Sequence, residues 1–152
     1  MAQTLTSLLV HIVFSTKHRV PIITPEIEPN LFAYIGGILK NNASPLLAAG
    51  GMNDHIHLLV SQSKNIALSL LLQNVKKDSS IWMKTQGEIF KAFHWEDGYA
   101  AFSVSKSDAP RVKSYIANQK ASSQTDLPGG VDPTVRGVWD RVRRTVPLEL
   151  IV

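Results

Sequence analysis

Imidazole, phenol and amide groups carry the candidate chemistry of this chain. The segment GMNDHIHLLV, Gly51 to Val60, holds two of the five histidines, separated by one residue. Side chains in a strand alternate between faces. Ile56, Leu58 and Val60 therefore form one row, suited to a core, and His55 and His57 form the other. Residues two apart on one face lie ~6–7 Å apart at Cα, so two imidazoles can converge on one cation. Each contributes a neutral nitrogen and leaves the positive charge available to a substrate anion. The same spacing also suits a solvated strand with no ligand. Two imidazoles are too few for a defined coordination sphere. Further along, Tyr115 and Gln119 stand four apart in KSYIANQ. On a helix they share a face. Val112 and Ile116 form a neighbouring apolar stripe that can dock such a helix, with Tyr115 and Gln119 at its margin. A half-buried packing tyrosine beside a solvated glutamine fits the same pattern.

Composition limits what can position these groups. The 152 residues are 44% hydrophobic and 18% charged, with no cysteine. That balance is globular and fits one domain with a buried core. A disulfide scaffold, a zinc ribbon and a cysteine nucleophile are excluded. Absence of cysteine fits a cytosolic protein. The N-terminus lacks the basic region of a signal peptide, and no apolar run approaches the ~20 residues that span a bilayer. The net charge of +4 favours polyanionic partners such as nucleic acid.

The periodicities predict an order of elements. Leu5 to Ser15 reads as a strand. Thr24-Pro25-Glu26 has the form of a helix start, and Ile27, Leu31, Ile35 and Ile38 recur at helical spacing to about Lys40. LLAAGGMN and DHIHLLVSQ read as two strands joined by a turn at Asn53-Asp54. A second helix is expected from Asn65 to about Thr85, with Leu68, Leu71, Leu72, Val75 and Trp82 inward and Lys76, Lys77 and Asp78 outward. FHW and AAFSVS read as short strands around Asp97-Gly98. SDAPRVKSYIANQKASS reads as a third helix, with Ser107 or Asp108 as its cap and Pro110 in its first turn. The first part follows the split βαβ pattern of ferredoxin-like sheets. Two helices would cover one sheet face and leave the other for chemistry or for another layer.

LLVHIVFSTKHR, GMNDHIHLLV, WEDGYAAFSVS and VKSYIANQ, in this order, resemble the small insertion-sequence transposases of the IS200 type. These are HUH single-strand transposases with one catalytic tyrosine. The resemblance covers approximately residues 5–120. It implies an α+β fold: a ferredoxin-like or RNA-recognition-like antiparallel sheet, two helices on one face, and a further helix carrying the nucleophile. It also implies a homodimer, in which the tyrosine helix can complete the partner's site. By the same resemblance, His55 and His57 match the metal ligands, Tyr115 the nucleophile and Gln119 a polar ligand one turn beyond. The implied metal is Mg²⁺ or Mn²⁺, and the implied substrate is single-stranded DNA with hairpin ends.

This chemistry is physically coherent. A phenol titrates near ~10 and is a poor nucleophile at neutral pH. A divalent cation on the scissile phosphate neutralises charge and orients it for in-line attack. The product would be a 5′-phosphotyrosine link and a 3′-OH, which a second strand end can reverse. Lys17, Arg19, Lys76, Lys77, Arg111 and Lys113 are candidate phosphate contacts, with His18 beside them. His11 alternates with Val10 and Ile12; it can lie beside the two histidines on the sheet, with a structural role the commoner case, and His94 and Trp95 read as packing residues. Tyr34 and Tyr99 lack the glutamine partner.

The reading divides the chain into a transposase domain, residues 1–124, and an atypical tail, residues 125–152. The tail contains Gly-Gly and Pro breaks and Arg136, Arg141, Arg143 and Arg144, further candidates for DNA contact. Two other readings remain: a catalytically inactive relative that binds DNA hairpins, and a metal-free RNA-recognition-like module. The module needs neither the histidine pair nor Tyr115. It would instead need exposed aromatics at the sheet centre.

Overall fold

Strand β1, Leu9–Ser15, lies at the middle of the architecture. The computed structural model describes residues 3–120. Four strands form one antiparallel sheet in the order β2-β3-β1-β4, with β2 at Leu46–Gly51, β3 at His55–Ser61 and β4 at Ala100–Val104. The expected strand from Leu5 begins later, at Leu9. Its partners there are Ser61 and Val104, where β3 and β4 end, so the ladder stops. Of the segment FHW, only Trp95 pairs, through an isolated bridge with Thr16.

Helix α1 spans Glu28–Asn41 and helix α2 Leu68–Lys84. Both lie against the face presented by Ile12, Phe14, Ile56, Leu58 and Val60. The core closes over that face with Leu31, Ile35, Leu39, Leu71, Leu72, Val75 and Met83. This is the split βαβ arrangement expected from the order of elements. Its driving force is apolar burial, worth about 1.5–3 kcal/mol per large aliphatic side chain.

Two local expectations are corrected. Thr24 does not cap α1. Its carbonyl accepts the N–H groups of Ile27 and Glu28 at 3.2 and 3.1 Å, forming a turn before the helix, and Pro29 rather than Pro25 sits in the first helical turn. Trp82 packs against the margin of the core, partly buried and stacked on Tyr34 of α1 at 5.0 Å, while Met83 continues the fully buried row after Val75 and Ser79. Lys76 does not face away. It lies over the Phe14 ring and donates to the carbonyls of Glu96 and Gly98 at 2.5 and 2.6 Å. Ser79 is buried inside α2, where its hydroxyl donates to the Val75 carbonyl and accepts the Trp95 indole N–H at 2.9 Å.

Helix α3, Ala109–Ala117, lies on the opposite face of the sheet, over β2 and β3, with Pro110 in its first turn. The second face thus carries another layer. The helix ends at Ala117, earlier than expected, and Gln119 lies in the turn that follows. Asp108 precedes the helix without a side-chain cap bond; the Ser105 hydroxyl accepts its N–H at 3.2 Å instead. The proposed tail and the boundary at residue 124 lie outside the described residues. Among the described residues, no helix is long and apolar enough to cross a membrane.

Candidate active site

Strand alternation sends His55 and His57 to the face that α3 covers. Their ring centres are 5.2 Å apart. With metal–nitrogen bonds of about 2 Å, two imidazoles sharing one ion hold their ring centres roughly 5 Å apart. The pair does not occupy an open surface. His57 is 1% exposed, and the His55 side chain is 16% exposed.

Each imidazole is tethered through Nδ1. The His55 Nδ1 lies 2.7 Å from Asp54 Oδ1, and the other oxygen of Asp54 accepts from Arg19 Nε at 3.1 Å. The His55 hydrogen bond, with help from Arg19, holds the Asp54 carboxyl down at about 2. The His57 Nδ1 lies 3.0 Å from His11 Nε2. His11 sits on β1 opposite Leu59 of β3, two pairs along from Val13 opposite His57. That diagonal is within reach of long side chains. Burial lowers His11 to about 4. It also lowers His57 well below the ordinary histidine value, with the charges of His11 and His55 acting the same way. Both rings are therefore neutral at pH 7. Neutral imidazole is the form that ligates metals.

Arg19 reaches Asp54 because the chain turns sharply after β1. His18 and Arg19 adopt left-handed φ values of 57° and 54°. The turn is held by the Thr16 hydroxyl donating to the Val20 carbonyl at 2.8 Å and by the His18 N–H donating to Glu96 at 3.0 Å. The Thr16 N–H donates to the Asp54 carbonyl at 2.9 Å, which ties this turn to the β2–β3 turn.

Helix α3 brings in the phenol. Its seat is Gly50 on β2: a β-carbon added there would stand 2.1 Å from the Ile116 carbonyl oxygen. Ile116 is fully buried in that contact. The neighbouring Tyr115 ring stands edge-on to His57 at 5.8 Å and to His11 at 6.0 Å between ring centres. Gln119 is buried, and its amide nitrogen donates to the Tyr115 carbonyl at 3.2 Å.

These residues fit a divalent cation. Both histidines are anchored through Nδ1, which leaves Nε2 as the nitrogen each could offer to an ion. Among the described residues there is no group of three or more His, Cys, Asp or Glu able to hold an ion. A third protein donor would be of another type, such as the amide oxygen of the buried Gln119.

The cationic candidates divide between the two faces. Arg111 and Lys113 are exposed on α3, and Lys17 is exposed in the turn after β1. Arg19 belongs to the Asp54 pair. Lys76 and Lys77 lie on α2, behind the sheet; Lys77 is exposed, while the Lys76 ammonium is occupied by backbone carbonyls. His94 is exposed, and Trp95 is buried against Phe14 and Phe93. The position of His11 near the pair was legible in the sequence; its bond to His57 and that of Asp54 to His55 were not. Asp54 next to His55 and the strand alternation of His11 were the available signals. Neither could be used before the pairing register was known.

The sequence matches the family described as Transposase IS200 like over residues 4–119. The chain belongs to the IS200-like transposase family. It is 22% identical over 114 residues to the ISDra2 transposase TnpA of Deinococcus radiodurans, spanning 72% of this chain and 81% of that protein. A crystal structure from Deinococcus radiodurans R1, of a protein assigned as a transposase, superposes with a TM-score of 0.62 at 22% identity. The alignment covers 78% of this chain and 95% of that one. A REP-associated tyrosine transposase bound to a REP hairpin superposes with a TM-score of 0.61 at 11% identity, covering 82% and 75% of the two chains. The two structures share the fold of this transposase: a four-stranded antiparallel sheet with three helices.

Proposed function

We propose that this transposase nicks and rejoins single-stranded DNA at insertion-element ends, with Tyr115 as nucleophile and His55, His57 and Gln119 as ligands to Mg²⁺ or Mn²⁺. The observation that carries this reading is the seating of α3 on the histidine face, with the Tyr115 ring 5.8 Å from His57.

The Tyr115 oxygen attacks the phosphorus in line. Its P–O bond forms as the bond to the 3′-oxygen breaks, and the phenolic proton is lost as the 3′-oxygen gains one. The product is a 5′-phosphotyrosine and a 3′-OH. A phosphodiester is exchanged for a phosphodiester, so an incoming 3′-OH reverses the step without an external energy source. The bound cation would supply charge neutralisation and orientation at the scissile phosphate. His55 and His57 bind it as neutral donors, each held through Nδ1. Contact of α3 with β2 orients Tyr115 and screens its ring from water.

The substrate is a strand with hairpin ends, in line with the hairpin held by the REP-associated neighbour. Lys17, Arg111 and Lys113 contact its phosphates, and Arg19 adds a guanidinium edge beside Asp54. The working form is a homodimer in the cytoplasm, the compartment of its DNA substrate.

The test incubates the full chain with labelled single-stranded hairpin DNA and Mn²⁺ or Mg²⁺. The expected result is a covalent protein–DNA species that is lost in Tyr115→Phe and on chelation. Hairpin binding with no adduct across many sequences would replace this reading with the inactive hairpin-binding relative.

A further inference from the structure

His11 has no part in the reaction just described, yet it lies 5% exposed at the centre of the site. Its Nε2 is 3.0 Å from His57 Nδ1. Two ring nitrogens at that distance share one hydrogen: one donates it and the other accepts it. A neutral imidazole has only one N–H. If His57 coordinates a cation through Nε2, its hydrogen must sit on Nδ1. His11 must then accept at Nε2 and carry its own hydrogen on Nδ1. In the reverse arrangement His11 donates, His57 carries its hydrogen on Nε2, and that nitrogen cannot coordinate. The two tautomer pairs are mutually exclusive, so His11 is coupled to the ligand state of His57.

We propose that His11 is a positioning residue: from β1, it fixes the tautomer of His57 and holds the ring for coordination through Nε2. The inference rests on the reading of His57 as a metal ligand. His55 has the corresponding partner in Asp54, a carboxylate that only accepts. The choice of group follows burial. Asp54 lies at the partly exposed β2–β3 turn, where Arg19 balances its charge. His57 is buried, and an unpaired carboxylate beside it would carry a large desolvation penalty. A neutral imidazole can accept the same hydrogen without carrying a charge. The His11 ring is itself confined by Phe102, 6.2 Å away, and by Tyr115, 6.0 Å away.

The test uses the full chain and Mn²⁺ alone, titrated by calorimetry and by electron paramagnetic resonance. Long-range ¹⁵N–¹H spectra of the metal-free protein report the His57 tautomer. Wild type is expected to show His57 with its hydrogen on Nδ1. His11→Phe keeps the ring volume and removes the acceptor. Mn²⁺ affinity should fall about 10–100-fold, and His57 should move toward the Nε2–H tautomer. His11→Gln, whose amide oxygen can accept near the same point, should recover part of both and keeps a polar group if the phenylalanine variant folds poorly. His57→Ala is the control. If Mn²⁺ affinity falls in His57→Ala but not in His11→Phe or His11→Gln, the positioning role is overturned and the metal site stands. If His57→Ala leaves Mn²⁺ binding unchanged, the metal site is wrong and the inference falls with it. A wild-type His57 bearing its hydrogen on Nε2 also overturns the proposal, as does a lowered melting temperature with unchanged affinity in the folded fraction.

Discussion

Gly50→Ala is the substitution that most directly probes the seat of the tyrosine helix. A β-carbon at this position would stand 2.1 Å from the Ile116 carbonyl oxygen and 3.0 Å from its carbonyl carbon. Both partners are backbone, so no flexible side chain can swing aside. Relieving the clash requires α3 to lift from β2 by about 1 Å, an overpacking error that typically costs about 1–3 kcal/mol. In a chain of this length that lowers the melting temperature by roughly 3–10 °C. Ile116, fully buried against the sheet, moves with the helix. Tyr115 moves too, and a reacting group misplaced by about 1 Å can lose on the order of 10²-fold in rate. The assay measures adduct formation on a labelled hairpin in single turnover, with circular dichroism melting and hairpin affinity measured in parallel. The expected result is slower adduct formation with hairpin affinity retained. A Gly50→Ala protein with wild-type melting and wild-type adduct formation would refute the reasoning, because α3 could not then rest against Gly50 in the working protein.

Further outcomes follow from the same geometry. Metal-free protein should lose stability as pH falls from about 6.5 toward 4. Unfolded histidines take up protons there while His11, held at about 4 by burial, does not, so the unfolded chain binds more protons. A shift of that size is worth roughly 3 kcal/mol at about 1.4 kcal/mol per pKa unit. Urea denaturation at several pH values checks this, and a flat profile across the interval would refute it. Asp54→Ala removes the acceptor for His55 and the partner of Arg19; Mn²⁺ affinity by calorimetry should fall about 10–100-fold, and unchanged affinity would count against coordination by His55. Lys76→Met should cost about 1–3 kcal/mol in chemical denaturation, because two carbonyls lose a charged donor, yet leave the salt dependence of DNA binding unaltered. A reduced salt slope in that variant would instead make Lys76 a phosphate contact.

Much of this fold was legible in the primary structure, because local rules govern it. Apolar strand-forming runs bounded by breaks and turns marked β1, β2 and β3. Leu31, Ile35 and Ile38 at helical spacing marked α1, and Leu71, Leu72 and Val75 marked α2. Asn53-Asp54 and Asp97-Gly98 marked turns. Alternation alone put His55 and His57 on one face, away from Ile56 and Leu58. The errors lay where a local rule had two solutions. Pro25 and Pro29 can each open a helix, and only the burial of Ile27 and Leu31 against the sheet selects the second. Lys76 looks solvated until residues 96–98 fold back over α2 and bring two carbonyls to its ammonium.

The amino-acid order by itself determined which chemical groups are present, how the strand separates them by face, and that a helix could carry Tyr115. It could not determine that α3 lies on the histidine face, that Gly50 supplies its seat, or that His11 and Asp54 grip the two imidazoles. Those are contacts between residues far apart along the chain. They depend on strand register and on how closely two backbones approach, and both are settled only when every apolar face is buried at once.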